Sequence, residues 1–155
     1  MDEERRRFCQ YAGLVILGTA LPSCGSGSSP VDGGQLACGP VSAGAGLNIA
    51  DLVLNSATPV MINAEPIFIC RDAKGVYALN ARCTHVGTNV NLKNAQDATQ
   101  GFQCPLHFAT YDFNGDHATA PAPSPLKHYL VCTTLSGTVV VDTEQEVASN
   151  VRFRV

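Results

Sequence analysis

The chain has few charged residues and no excess of positive charge. Asp, Glu, Lys and Arg make up 15% of its 155 residues, and the formal net charge is −3. A protein that binds nucleic acid usually carries a basic face or stripe that contacts the phosphates. The composition therefore predicts that nucleic acid is not a partner.

The sequence also lacks a hydrophobic run as long as a membrane-spanning helix. The most apolar stretch covers residues 8–21, whereas a span needs about 20 predominantly apolar residues. Arg5-Arg6-Arg7-Phe8 stands before it and resembles the signal of the twin-arginine export route, which carries folded proteins. We therefore predict that residues 1–24 are an export signal, with an uncleaved anchor helix as the alternative.

The end of this segment resembles a lipoprotein processing site. In Leu21-Pro22-Ser23-Cys24, the cysteine would be lipidated and become the mature N-terminus; an incidental cysteine after an uncleaved anchor is the alternative. Residues 25–46 begin with a Gly- and Ser-rich stretch that cannot bury a core. We predict a tether there, either one that lets the folded domain move between partners or an ordinary stalk.

Cysteine, in contrast, is abundant, with seven residues in the chain. Cys70 and Cys132 each lie in an apolar, strand-like run, where a cysteine is typically a small buried side chain. A disulfide between these two is the alternative for an exported protein, although spacing does not determine pairing.

Helical periodicity is missing from residues 47–155, which predicts one nearly all-β domain. Asn114-Gly115 is a strong signal for a two-residue hairpin. Residues 91–101 are polar and are predicted to be an irregular excursion. The predicted strands are 47–54, 59–62, 67–70, 76–79, 102–103, 109–113, 129–135 and 138–142, with a possible edge strand at 151–155.

Two short segments combine cysteine with histidine. Cys83-Thr84-His85 is followed, after eighteen residues, by Cys104-Pro105-Leu106-His107. Each segment offers one thiolate and one imidazole, so the pair presents four ligands. Two Cys and two His suit a structural zinc ion. Their alternation, however, favours a 2Fe-2S cluster in which two His bind one iron.

The surrounding residues resemble the Rieske iron-sulfur family, most closely the branch found in quinol-oxidising cytochrome bc complexes. The resemblance covers roughly residues 47–142. The motifs that carry it are Cys83-Thr84-His85-Val86-Gly87, Cys104-Pro105-Leu106-His107, Tyr111-Asp112 with Gly115, and Ala120-Pro121-Ala122-Pro123.

This resemblance implies an antiparallel β-sandwich with a smaller cluster-binding subdomain at about residues 81–125. It implies one 2Fe-2S cluster per chain, with a hydrogen bond from the Tyr111 hydroxyl to a ligand sulfur. Pro121 and Pro123 are expected to shelter the cluster from water; a connection that merely avoids strand pairing is the alternative. The implied ligands are Cys83, His85, Cys104 and His107.

The sequence departs from this branch at three positions. Thr88 and Leu106 stand where its members carry two cysteines joined as a disulfide, and Ala109 replaces a serine that donates to a cluster sulfide. Losing a donor lowers the reduction potential. We therefore expect an intermediate value within the Rieske range of about −150 to +300 mV.

The predicted function is electron transfer. Each ligand histidine should leave one ring nitrogen at the surface, so His85 and His107 are expected to face a quinol and to couple electron uptake to a proton. The expected partners are a cytochrome b-like membrane subunit and a cytochrome acceptor, on the periplasmic face of the cytoplasmic membrane.

Two other functions stay open. Leu106, Ala109 and Thr88 favour a stand-alone carrier that serves an oxygenase or a periplasmic molybdenum oxidoreductase, and a zinc-stabilised binding module is the third possibility. His117 and His128 are predicted to be exposed and not to be ligands.

Overall fold

The structure, a computed structural model, describes residues 38–39, 42–116 and 119–155. The predictions for the export signal, for Cys24, for most of the tether and for His117 lie outside these residues. No helix within the described ranges is long and apolar enough to cross a bilayer.

The described domain consists of nine β-strands and two single-turn 3₁₀ helices, so the all-β prediction is confirmed. The 3₁₀ turns cover Ile49–Asp51 and Ala98–Gln100. The strands are β1 Ala43–Asn48, β2 Ser56–Ile62, β3 Glu65–Asp72, β4 Gly75–Asn80, β5 Asn91–Leu92, β6 Phe102–Gln103, β7 Thr110–Tyr111, β8 His128–Thr133 and β9 Thr138–Val147.

The strands form two antiparallel sheets. The larger sheet has the order β1-β9-β8-β4-β3-β2, and the smaller has the order β5-β6-β7. The smaller sheet is inserted between β4 and β8, as the resemblance to the Rieske family implied. The first segment with Cys and His lies between β4 and β5, and the second joins β6 to β7 within the smaller sheet.

The hairpin of β3 and β4 supports the first of these segments. Both strands are apolar and largely buried because they lie in the middle of the larger sheet. At the turn, the Asp72 carboxylate accepts hydrogen bonds from the amides of Lys74 and Gly75 at 2.7 and 2.9 Å. A Cβ at Gly75 would lie 2.3 Å from the Phe153 carbonyl oxygen, so only glycine fits.

Two hydrophobic clusters stabilise the domain. One consists mainly of residues of the larger sheet, including Ile67, Ile69 and Val139. The other joins the two sheets, and in it the rings of Phe68 and Phe102 lie 4.8 Å apart. Cys83, Cys104 and Tyr111 belong to this second cluster. The two candidate cysteine ligands are therefore built into the packing between the sheets.

The first predicted strand, 47–54, is wrong in position. β1 covers Ala43–Asn48 instead, because the Asn48 side chain accepts a hydrogen bond from the Ala50 amide and starts a 3₁₀ turn. The polar excursion at 91–101 contains β5 and the second 3₁₀ turn. Val151–Val155 contributes only an isolated bridge between Val76 and Phe153.

The predicted hairpin at Asn114-Gly115 is a tight turn without a second strand. The Gly115 amide donates to the Asp112 carbonyl at 2.9 Å, which closes the turn. Among the described residues that follow, none forms a strand with β7 on this side, because Pro121, Pro123 and Pro125 have no amide hydrogen to donate. Strand β7 is accordingly limited to Thr110–Tyr111.

Cys132 forms a disulfide, but its partner is Cys38 and not Cys70. The interpretation of Cys132 as an unpaired core residue and the alternative bridge to Cys70 are both wrong. Cys70 is a buried free thiol, as predicted. Next to the disulfide, the Gly39 amide donates to the buried Asp142 carboxylate at 2.9 Å. These two contacts fix residues 38–39 to strands β8 and β9.

His128 is buried, which contradicts the prediction that it is exposed. Its ring stacks on Tyr77 with a centroid distance of 5.9 Å. Within the described residues, its Nε2 atom has no hydrogen-bond partner. Burial, followed by the nearby Arg152 guanidinium, lowers the pKa of His128. The sequence placed this histidine next to a strand but did not reveal that its side chain faces inward.

Candidate metal centre

The two segments fold into a pair of similar loops. In the first, the Cys83 amide donates to the Thr88 carbonyl and the Gly87 amide donates to the Cys83 carbonyl, each at 2.8 Å. In the second, the Cys104 amide donates to Ala109 at 2.8 Å, and the Phe108 amide donates to Cys104 at 3.0 Å. Each loop therefore closes on its own cysteine.

The two cysteines of these loops are buried free thiols. Cys83 is 2% exposed and Cys104 is fully buried. Burial acts to raise the pKa of Cys104, but hydrogen bonds from the His107 and Leu106 amides and from Cys83 outweigh it. The pKa of Cys104 lies below its usual range as a result. The loop amides thus favour the thiolate, which is the form that binds metal.

The two histidines of the loops face each other at the surface. Their Nδ1 atoms lie 3.1 Å apart, and the ring planes are inclined by 69°. Both residues are exposed. Because the Nδ1 atoms point toward each other, these are the nitrogens that a group shared by the two loops would use. The Nε2 atoms remain available to a partner.

Tyr111 connects the first loop to strand β7. Its buried hydroxyl lies 3.3 Å from the Cys83 sulfur and accepts a hydrogen bond from the Thr84 amide at 3.1 Å. Burial, followed by the hydrogen bond to Cys83, raises the pKa of Tyr111. The hydroxyl therefore keeps its proton and can donate to a Cys83 thiolate.

The proline segment, Ala120 to Pro125, lies against the first loop. The Thr84 hydroxyl donates to the Ser124 carbonyl at 2.7 Å. Ala122 is buried in the same hydrophobic cluster as the two site cysteines, whereas Pro121 and Pro123 on either side of it are exposed. Ala122 is therefore the residue of this segment that packs into the cluster containing the two site cysteines.

The donor set fits a two-iron cluster. It combines two buried sulfurs with two surface imidazole nitrogens, one of each from either loop, and such a cluster takes two protein ligands per iron. Within the described residues, no three His, Cys, Asp or Glu side chains are placed to hold a single ion. The sulfurs are shielded from water, and the imidazoles are not.

Comparison with known families agrees with this arrangement. The family model of the Rieske [2Fe-2S] domain matches residues 46–130, more than half of the chain. The chain belongs to the Rieske [2Fe-2S] family. This result decides between the cluster and the zinc interpretations: the protein is a Rieske electron-transfer protein with a 2Fe-2S cluster as its cofactor.

Two curated relatives of this Rieske protein are cytochrome b6-f complex iron-sulfur subunits. That of Synechococcus sp. (strain JA-3-3Ab) is 30% identical over 134 residues, which cover 81% of this chain and 75% of the relative. That of Chlorobaculum thiosulfatiphilum is 30% identical over 90 residues, or 53% of this chain. The match spans only about half, 48%, of that second relative.

A solved structure supports the Rieske fold. A chain in the complex of reduced oxygenase and oxidized ferredoxin in carbazole 1,9a-dioxygenase is similar to this chain, with a TM-score of 0.52 and 22% identity. The similarity covers 70% of this chain and 98% of that one. At this identity it shows the fold alone.

The site also contains residues that the sequence analysis did not single out. Thr84 stands in the sequence only as the residue between Cys83 and His85, yet it contacts Tyr111 and the proline segment. Phe108, next to His107, belongs to none of the motifs. Phe108 has a positive backbone φ of 61°. A phenylalanine in the sequence does not indicate such an angle, so the sequence gives no reason to select this residue.

Proposed function

We propose that this Rieske protein accepts an electron and a proton from a membrane quinol and passes the electron to a cytochrome, as a subunit of a respiratory complex. In support, both curated relatives are named cytochrome b6-f complex iron-sulfur subunits. Ligation by two neutral imidazoles gives the cluster a higher potential than an all-cysteine cluster has. The residues around the histidines support a quinol as the donor.

The observation that carries this proposal is the absence of charge around the two histidines. We call this surface the uncharged tip; it comprises residues 83–92, 104–111 and 119–126, none of which is Asp, Glu, Lys or Arg. Contacts between Thr84 and Ser124, His85 and His107, and Thr110 and Thr119 join the three segments.

Large apolar side chains are exposed on the uncharged tip. Val86, Leu106 and Phe108 are 55%, 53% and 68% exposed, respectively. An exposed apolar patch marks a site of contact with a partner. A neutral quinol in an apolar membrane subunit matches this surface, whereas a highly charged soluble partner would find no opposite charge there.

In this proposal the two histidines act as hydrogen-bond partners of the quinol. The exposed Nε2 atom of His85 or His107 accepts a hydroxyl hydrogen and takes the proton as one electron enters the protein. The second electron and proton of the quinol pass to the cytochrome b-like subunit. In this proposal Ala122 keeps water from the sulfur side during this exchange, a role that the resemblance to the Rieske family implied for Pro121 and Pro123, which are exposed.

We further propose that the protein is exported and held at the outer face of the cytoplasmic membrane, by lipid on Cys24 or by an uncleaved helix. The twin-arginine-like sequence supports export. The Cys38–Cys132 disulfide supports an oxidising compartment. Cys24→Ser separates the two anchors: loss from the membrane fraction, with a matching change in N-terminal mass, indicates lipidation, and retention indicates the helix.

Purification of the tagged full-length chain from native membranes tests the function. We expect iron and acid-labile sulfide in the product, together with a b-type cytochrome subunit and quinol-dependent cytochrome reduction. Recovery with an oxygenase or a molybdenum oxidoreductase, and without quinol oxidation, would instead establish the stand-alone carrier. The buried Ala109, which lacks a hydroxyl to donate to a cluster sulfide, is the residue that favours this second candidate.

A further inference from the structure

The two ligand loops place different residues at equivalent backbone positions. Gly87 and Phe108 each lie four residues after the loop cysteine, and each donates its amide to the carbonyl of that cysteine. Both have a left-handed backbone, with φ of 78° at Gly87 and 61° at Phe108. The first loop uses glycine at this position, and the second uses an aromatic residue.

An aromatic residue is unfavourable at this position for the folded domain. A bulky side chain strains the left-handed backbone, whereas glycine adopts it freely. The ring does not recover this cost by packing, because Phe108 is 68% exposed. Gly87 shows that the same loop closes without strain. Strain of this kind is typical of functional sites.

The environment of Phe108 indicates what its ring contacts. The residue follows His107 directly in the chain, and Leu106 on the other side of that histidine is also exposed. The uncharged tip offers no ionic contact. A planar, neutral and aromatic molecule with a hydroxyl group fits these features, because it can stack on a phenyl ring and donate a hydrogen bond to an imidazole.

We propose that Phe108 is a specificity-determining residue that stacks on the aromatic ring of the hydroquinone donor while that donor is hydrogen-bonded to His107. This inference rests on the proposed quinol oxidation and assigns a residue to the recognition of the ring. Phe108→Gly removes the ring and relieves the strain. Phe108→Leu keeps an apolar side chain without an aromatic face.

The experiment compares these variants with the wild-type full chain, loaded with its cluster and oxidised. Stopped-flow absorbance follows reduction by duroquinol, with dithionite as a reductant that lacks an aromatic ring. Each duroquinol reduces two protein molecules, becomes duroquinone and releases two protons. Ala64→Gly is the matched control, because Ala64 has φ of 63° and is exposed in the β2–β3 turn, remote in sequence from both loops.

We expect Phe108→Gly to slow reduction by duroquinol about two- to tenfold, the range that an aromatic pair contributes. Phe108→Leu should reduce this rate by an intermediate factor, and Ala64→Gly should leave it unchanged. Rates with dithionite and reduction potentials should be unchanged in all three. Both glycine variants should raise the thermal unfolding midpoint by about 2–4 °C, because each relieves a strained residue.

Three results would overturn the inference. Phe108→Gly could react with duroquinol at the wild-type rate. The proposed quinol oxidation would then stand, but the Phe108 ring would contact another partner, such as an apolar pocket of a protein. Phe108→Gly could slow both reductants equally, which indicates a general effect on the cluster. Phe108→Gly could lower the unfolding midpoint, which indicates a structural role. A wild-type protein that reacts with dithionite but not with duroquinol would refute the proposed function itself.

Discussion

The Thr84 hydroxyl donates a 2.7 Å hydrogen bond to the carbonyl oxygen of Ser124, and this bond joins the first ligand loop to the proline segment. The hydroxyl also lies 3.1 Å from the Tyr111 hydroxyl. The disulfide that joins the two loops in related cytochrome bc proteins has no counterpart at Thr88 and Leu106. Thr84 therefore provides a noncovalent link between parts of the site.

Replacing Thr84 by valine removes this link at nearly constant volume. We expect the free energy of unfolding to fall by about 0.5–1.5 kcal/mol, the usual net contribution of one hydrogen bond. Urea unfolding measures this change, and the visible absorbance of the loaded protein reports faster loss of the cluster. Thr84→Ser keeps the hydroxyl and should behave like the wild type. Equal cluster loss in Thr84→Val and the wild type would contradict the assignment.

Tyr111→Phe should lower the reduction potential of the cluster. The hydroxyl lies 3.3 Å from the Cys83 sulfur, and a donated hydrogen bond stabilises the more negative reduced state. A loss of about 0.5–1.5 kcal/mol corresponds to roughly 20–65 mV for one electron. A spectroscopic redox titration measures it. Tyr129→Phe removes a hydroxyl that bonds Asn80 in the larger sheet and should leave the potential unchanged.

The Cys38–Cys132 disulfide should contribute to the stability of the domain. It joins residues 94 positions apart, and a bridge across a long loop typically adds about 2–4 kcal/mol. We expect the Cys38→Ser/Cys132→Ser double variant to lose this amount in urea unfolding. Dithiothreitol should lower the unfolding free energy of the wild type to that of the variant and should leave the value of the variant unchanged. A reductant effect of equal size in both proteins would point to a different cause.

Stability should fall in mild acid because of His128. Its pKa in the folded state lies below the unfolded value of about 6.5, so the unfolded chain binds a proton first as the pH decreases. The contribution of the neutral ring is complete above about pH 6.5 and is lost as the pH falls from there toward the folded pKa. The unfolding free energy should change by at most about 1.4 kcal/mol per pH unit through this one group.

The comparison of His128→Phe with the wild type isolates this effect. Phenylalanine keeps the stack on Tyr77 and cannot take up a proton. The difference in unfolding free energy between the two proteins should change between pH 7 and pH 5 in favour of the variant. A constant difference over this range would show that His128 titrates alike in the folded and unfolded chains.

The two loops that carry the predicted ligands could be recognised in the sequence because each motif is local. Cys83 and His85 are close in the chain, as are Cys104 and His107, and β4 with β6 and β7 carries the two loops to one place. The face-to-face contact of His85 with His107 follows from that topology. The Tyr111 contact with Cys83 was also anticipated, through the resemblance to the Rieske family.

Features that depend on long-range packing were missed. The pairing of Cys38 with Cys132 needs residues 94 positions apart to meet, and no local pattern records such a meeting. His128 occupies a strand whose alternation does not show which face its ring takes. Phe108 was missed for another reason. Its backbone has a positive φ, which is uncommon for a bulky side chain and cannot be read from the residue type.

The uncharged tip has a consequence for how the protein meets its donor. Dissolved ions screen attraction between charges over about 10 Å at 0.1 M ionic strength. A surface without charges has no such attraction to lose, so contact at this end should proceed equally well in dilute and concentrated salt. Any dependence of the overall electron-transfer rate on ionic strength would then arise from the contact with the electron acceptor.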